Sequence, residues 1–279
     1  MFFSAVYFML WILTPENQSY VRAKEILMEA VLLNIQHFCL HDGPGIRSTI
    51  FFKGCNLRCH WCANPESISM KVRPELEESL GGRIWKLEEV LHDVLKDKVF
   101  YDESGGGVTL SGGEPLLQAD FACALCDALH AHGVAVAIET AACVPEQTFM
   151  KVFEKLDVAH IDLKHWNDAS YRQGTGAGID LVLSNIRRAL AGSIPVFLRI
   201  PIIPGFNDSL EDARQFGNVL ADVGANAVQL LPFHQFGEKK YEKLALEYSM
   251  NGIAQLHDED VQDYASVLKE SGLHVQISG

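Results

Sequence analysis

The chain has 279 residues, 48% of them apolar, enough to bury the core of one barrel-sized α/β domain. Its formal net charge of −13, from 36 acidic against 23 basic residues, excludes a general nucleic-acid binder, which needs a cationic surface to displace counterions. Seven cysteines, an odd number in a chain of this size, argue against the disulfide framework of a small secreted domain and for metal binding in a reducing compartment, so a cytoplasmic protein is expected.

In chain order, Met1 to Leu13 is almost wholly apolar but has no preceding Lys or Arg, as a signal peptide would, and stops at Thr14-Pro15, short of the roughly 20 residues of a membrane span. Residues 1–27 are expected to be an N-terminal extension ahead of a native start at Met28, with no membrane partner, and 28–279 a single domain. From residue 48 on, short runs rich in Val, Ile, Leu and Phe alternate with helical patterns. Strands are predicted at 48–53, 108–111, 134–139, 158–163, 196–200 and 227–231, mostly apolar on both faces. Helices are predicted at 116–132, 146–156, 180–191, 208–223 and 259–271. In the first of these, Leu117, Phe121, Leu125 and Leu129 recur every four residues before a stop at Gly133. Residues 235–258 read as a loop or edge element. Six strand–helix units predict an α/β fold, a partial (β/α)6 TIM-like barrel of parallel strands with outer helices, since a closed eight-unit barrel takes about 250 residues.

The chemistry concentrates in Cys55-Asn56-Leu57-Arg58-Cys59-His60-Trp61-Cys62. Three and then two intervening residues wrap a short loop around a compact object. Zinc sites more often pair two such knuckles, and no second one is present. Cubane iron–sulfur clusters usually take four thiolates, so three leave one iron open to a small ligand. A zinc loop or a purely electron-carrying cluster is the alternative. Other polar residues fall at the predicted strand ends, where barrels of this type carry their sites. Ser111-Gly112-Gly113-Glu114-Pro115 ends the second strand, Glu139-Thr140 the third and Asp162-Leu163-Lys164 the fourth. Arg199 lies in the fifth, and Leu231-Pro232-Phe233-His234 ends the sixth. Cys123 and Cys126, inside a helical pattern beside Ala122, Ala124 and Leu125, read as small buried residues rather than a metal site.

The cysteine spacing, with Trp61 just before the last Cys, resembles the radical S-adenosylmethionine enzymes. The wider match over residues 34–275 resembles the activating enzymes of glycyl radical enzymes, of which pyruvate formate-lyase activating enzyme is the best known. It is carried by Asn34-Ile35-Gln36, His41-Asp42-Gly43-Pro44-Gly45-Ile46-Arg47, Trp61-Cys62-Ala63-Asn64-Pro65-Glu66-Ser67, Asp162-Leu163-Lys164, Ile203-Pro204-Gly205-Phe206-Asn207 and Leu230-Leu231-Pro232-Phe233-His234. The resemblance implies one [4Fe-4S] cluster on Cys55, Cys59 and Cys62, with S-adenosylmethionine chelated to the open iron. Reductive cleavage then releases a 5′-deoxyadenosyl radical that abstracts hydrogen from a backbone glycine of the partner enzyme. By the same resemblance Trp61, Cys62, Ala63, Gly112, Gly113, Glu114, Asp162, Leu163, Lys164, Arg199 and His234 would surround S-adenosylmethionine, and Asp42 would face the glycine-bearing loop. Glu139, Thr140 and Asp162 match positions that can hold a monovalent cation. A monomer is implied, with reduced flavodoxin or ferredoxin as electron donor.

Two departures from the family stand out. Ala63 to Gly107 contains no cysteine, so the inserted ferredoxin-like module of members with the same Trp-Cys-Ala-Asn-Pro wording is missing. In Glu139-Thr140-Ala141-Ala142, two alanines stand where a polar residue and glycine commonly follow the threonine. The rival readings are a radical enzyme acting on another peptide or a small molecule, and a non-catalytic iron–sulfur scaffold.

Overall fold

The computed structural model describes residues 28–277; the expected extension 1–27 lies outside the described residues. The six predicted strands are all present, as β2 (Arg47–Phe52), β4 (Gly107–Gly112), β5 (Ala135–Thr140), β6 (Val158–Asp162), β7 (Val196–Ile202) and β8 (Ala227–Pro232). They lie side by side in this order and pair in parallel. Strands that follow one another along the chain are therefore neighbours in space, which is the winding of a barrel wall and not of a doubly wound sheet. The partial parallel barrel expected from the sequence is thus the fold.

Three further strands extend this wall. Strand β1 (Glu29–Cys39) pairs antiparallel with β2, and β3 (Arg83–Lys86) pairs antiparallel with β1. At the far edge β9 (His274–Ile277) adds in parallel to β8. Among the described residues β3 and β9 are the two edges of one nine-stranded sheet, so the barrel stays open. Strand β1 mixes exposed and buried positions without strict alternation, and β9 has four residues, so neither carries a readable period.

The expectation that both strand faces are apolar does not hold. Val108, Leu110, Val136, Ile138, Ala159, Ile161, Leu198, Ile200, Val228 and Leu230 are buried in the main core, which the outer helices complete. The alternate residues face the lumen, and Thr109, Ser111, Glu139, His160, Asp162, Arg199 and Gln229 among them are polar. An open barrel whose interior holds a ligand needs polar groups inside, and the period of two along each strand supplies them.

The helices are α1 (Glu78–Gly81), α2 (Leu87–Val94), α3 (Lys98–Ser104), α4 (Ala119–Ala131), α5 (Glu146–Phe153), α6 (Asp168–Thr175), α7 (Asp180–Leu190), α8 (Leu210–Asp222), α9 (Glu238–Lys243) and α10 (Gln262–Glu270). In α4 the predicted stripe is buried at Phe121, Leu125 and Leu129. Leu117 instead lies on a preceding 3-10 turn, Pro115–Gln118, and is exposed. Region 235–258 is not all loop: it contains α9, whose Tyr241 stacks on Tyr248 at 4.4 Å in a small second core with Trp61 and Phe233.

Candidate active site

The cysteine loop leaves the C-terminal end of β2 and is tied down on both flanks. Gly54 N donates to Ser67 O at 2.6 Å and Cys55 N to Ile68 O at 3.0 Å. Arg58 N and His60 N donate to Thr175 O and Gly174 O at the end of α6. Beneath the loop, the fully buried Lys53 ammonium donates to Glu66 O at 2.5 Å. The Gly112–Gly113 turn at the end of β4 is stitched to the same segment, with Gly113 N donating to Phe52 O at 2.9 Å and Glu114 N to Gly54 O at 2.8 Å. A side chain on Gly113 would place its Cβ 2.2 Å from Gly54 O. The close approach that requires glycine here is therefore to the cysteine loop itself.

Cys55, Cys59 and Cys62 line one cavity, together with Trp61, Ala63, Gly112 and Gly113. All seven cysteines are free thiols. Burial pushes Cys55 up to about 11 and Cys59 up to about 12, and raises Cys62 as well, with the Lys164 cation pulling in the opposite direction on each. Thiols so placed gain from cations that compensate the thiolate charge, and three of them on one wall suit a cluster that carries its own positive iron. Cys123 and Cys126 are buried in α4, and among the described residues no group of three His, Cys, Asp or Glu side chains is placed to hold a single metal ion.

In the same cavity, strand ends from β4 to β7 build a charge network. Arg199 Nη1 lies 2.5 Å from Glu139 Oε1, and Arg199 Nε lies 2.8 Å from Asp162 Oδ1. Lys164 Nζ lies 3.0 Å from the other oxygen of Asp162, and Ser111 Oγ donates to Glu139 Oε2 at 2.6 Å. Two carboxylates and two cations thus neutralise one another in a nearly closed space. Burial alone would raise Asp162, but Arg199 and Lys164 together hold it at about 2. Glu139 is likewise lowered against its burial by Arg199 and Ser111, and both cations are raised by their carboxylates.

Glu114 sits behind this cavity. Its carboxylate is buried and accepts from Leu116 N at 3.2 Å, Thr140 Oγ1 at 2.7 Å and Ala141 N at 3.0 Å. Desolvation raises it to about 6 in spite of these three donors. Thr140 Oγ1 in turn accepts from Ala142 N at 2.8 Å, and Ala142 takes φ of 51°, a left-handed conformation that glycine adopts without strain. Leu163 is fully buried in the main core, away from the cavity.

Asp42 lies in a neighbouring cavity, not in the one that the thiols line. Its carboxylate accepts a hydrogen bond from Thr49 Oγ1, and its carbonyl accepts from Thr109 Oγ1 at 2.7 Å. His234 faces both cavities and stacks on Phe236 at 4.3 Å.

Three further residues shape this site, of which Lys240 and His160 stand in none of the motifs read from the sequence. Lys240, from α9, lies 2.6 Å from both Asn64 Oδ1 and Glu66 Oε1 and so clamps the turn directly after Cys62. Buried Arg47 fixes the Asp42 segment, donating to Pro44 O, Thr109 Oγ1 and Val108 O. Buried His160 faces the lumen between Glu139 and Phe197 in the sheet register. The one local signal for these positions was a polar residue at every second place in an otherwise apolar strand, which marks His160. Nothing local marks Lys240.

A wall of parallel strands whose ends carry a three-thiol loop, a glycine turn and a neutralised charge network defines a class. The Radical SAM superfamily pattern matches residues 49–217, and the chain belongs to this superfamily. Its cofactors are a [4Fe-4S] cluster and S-adenosylmethionine. Within the superfamily it stands among the activating enzymes of glycyl radical enzymes. It is 36% identical to the pyruvate formate-lyase 2-activating enzyme of Escherichia coli, over 90% of this chain and 93% of that one. It is 31% identical to the (2S)-3-sulfopropanediol dehydratase activating enzyme of Klebsiella oxytoca, over 88% of this chain and 95% of that one. That second match runs over 302 positions, more than the 279 residues of this chain, so the relative carries inserted sequence that this chain lacks. A solved domain of the pyruvate-formate lyase-activating enzyme from Bacteroides vulgatus superposes with a TM-score of 0.52 at 26% identity, covering 63% of this chain and all of that one.

Proposed function

We propose that this protein generates a glycyl radical on a partner enzyme of the pyruvate formate-lyase type. The observation that carries the reading is one cavity lined both by the three thiols and by the Glu139–Arg199–Asp162–Lys164 network. Cys55, Cys59 and Cys62 hold the cluster. When bound and given one electron, the cluster and S-adenosylmethionine would supply the hydrogen-abstracting chemistry, the hydrogen atom of a partner glycine ending on 5′-deoxyadenosine with methionine as the co-product.

The chain's own residues bind, orient and shield. Trp61, Ala63 and His234 bound the nucleotide's space, while Pro201, Ile203, Leu231 and Phe233 keep water from it. The half-buried backbone of Gly112 and Gly113 lines the cavity and would meet the methionine end. Glu114 acts from behind that turn, fixing it through Leu116, Thr140 and Ala141. Asp162, held ionised, orients Lys164 and Arg199. A monovalent cation between Glu139, Thr140 and Asp162 would take over the charge compensation that Lys164 and Arg199 provide in this state. Asp42 faces the partner's glycine loop from the adjoining cavity.

The barrel acts as one domain, and the protein as a monomer in the cytoplasm. Among the described residues no helix is long and apolar enough to cross a membrane. With no cysteine between Ala63 and Gly107, electrons reach the catalytic cluster directly from reduced flavodoxin or ferredoxin.

The test is anaerobic reconstitution with iron and sulfide, followed by dithionite and S-adenosylmethionine. Release of 5′-deoxyadenosine that the triple Cys55→Ala, Cys59→Ala, Cys62→Ala variant does not show supports the cluster assignment. A glycine-centred doublet in electron paramagnetic resonance, seen only with a glycyl radical enzyme present, supports the substrate. Uptake of zinc alone, or cleavage that survives the triple replacement, defeats the reading.

A further inference from the structure

Beside the cofactor cavity lies a second one of about 610 Å³. Glu139, Arg199, Leu231, Pro232 and His234 line both, so the two adjoin. Three features of the second cavity describe what enters it. Two of its lining residues are apolar and open to solvent: Leu40 and Phe236 are 59% and 77% exposed. Inside, Arg199 is the one Lys or Arg of the lining and is already committed to Glu139 and Asp162, with His41, His160 and His234 the other basic groups, and Asp42 adds a carboxylate without a salt-bridge partner among the described residues. Across the lumen, Gln229 and Gln276 are register partners on β8 and β9, their carboxamides 3.4 Å apart. Each carboxamide offers donors and an acceptor without charge, the complement of a peptide N–H and C=O.

We propose that this cavity selects the glycine-bearing segment of the partner as a stretch with apolar and no acidic neighbours, its backbone held by Gln229 and Gln276 and its side chains seated on Leu40 and Phe236. The inference rests on the activating-enzyme reading and adds the residues that decide which glycine segment is accepted. None of the four lines the cofactor cavity, so they are specificity-determining and not catalytic.

The probe is a pair of blocked nine-residue peptides, one with a central glycine between leucines and one with aspartates in place of those leucines. Binding to the reconstituted holoenzyme with S-adenosylmethionine is followed by calorimetry, alongside the 5′-deoxyadenosine released without peptide. The leucine peptide is expected to bind at least about tenfold more tightly than the aspartate peptide. Phe236→Ser, Leu40→Ser and the Gln229→Ala/Gln276→Ala pair should each weaken the leucine peptide about tenfold, with peptide-free 5′-deoxyadenosine release within about twofold of the parent. Phe236→Leu should restore most of the binding. Equal binding of the two peptides, no binding of either, or variants that bind like the parent would overturn the proposal. If the leucine peptide binds as expected but no S-adenosylmethionine is cleaved, the cavity assignment stands and the activating-enzyme reading fails.

Discussion

Asp162 and Arg199 are register partners on β6 and β7, and their side chains close a 2.8 Å ion pair on the lumen face of the sheet. Parallel pairing brings them together, and Glu139 on β5 meets the same guanidinium from the other side. One arginine thus compensates two carboxylates on two different strands.

Replacing Arg199 with Ala leaves both carboxylates in a nearly closed space with Lys164 alone as their cation. The expected cost is about 3–5 kcal/mol, as for breaking one side of a buried pair. Urea denaturation of the reconstituted protein measures it. A loss below about 1 kcal/mol would show that water reaches this network freely.

Two carboxylates give opposite pH dependence. Asp162, held at about 2, stabilises the fold at every pH above its ordinary 3.8, and this contribution is lost as pH falls through about 2. Glu114, raised from 4.5 to about 6, stabilises the fold when protonated below pH 4.5, and this is lost as pH rises through about 6. Between those limits the parent should gain roughly 2 kcal/mol relative to Glu114→Gln as the solution is acidified. A stability difference that stays flat over this window would refute the shift.

Lys240 joins α9 to the turn after Cys62, on partners 174 and 176 positions away. Lys240→Met strips Glu66 of its cation. Glu66 is 7% exposed and its other oxygen is already unpaired, so a loss of about 1–3 kcal/mol is expected. Iron and sulfide retained after gel filtration should fall as the loop loosens, and Lys240→Arg should restore part of it. Unchanged retention would remove Lys240 from the site.

Gly113→Ala touches no thiol, yet its Cβ meets the Gly54 carbonyl. Parting the glycine turn from the cysteine loop should cost about 1–3 kcal/mol, as overpacking does, and lower cluster content. A variant with the parent's melting temperature and iron content would show that the turn can shift without consequence.

The six parallel strands were legible because each is a short run whose outward residues must be apolar to pack against helices, as Val108 and Leu110 do. The two antiparallel strands and the last parallel one were not. Strand β1 runs along the barrel's flank with a mixed pattern of burial, and β9 is short enough that pairing with β8 defines it. The lumen's polarity was hidden by the same brevity, since a run of six such as Gly107–Gly112 reads as apolar while Thr109 and Ser111 point inward.

Local spacing determined what could be determined locally: a loop of three thiols, a glycine turn, and charged residues at strand ends. Distances of two or three residues along a chain set the geometry of a loop, so a cluster-binding segment is written in its own few positions. Which of those residues reach the cavity was decided by folding. Glu114 lies behind the wall, Leu163 in the outer core and Asp42 in the adjoining space, because side-chain direction depends on the register of each strand and on what packs over it. The Lys240 clamp and the Arg199 bridge join residues far apart in the chain, and contacts of that kind exist only once the sheet has brought its strands together.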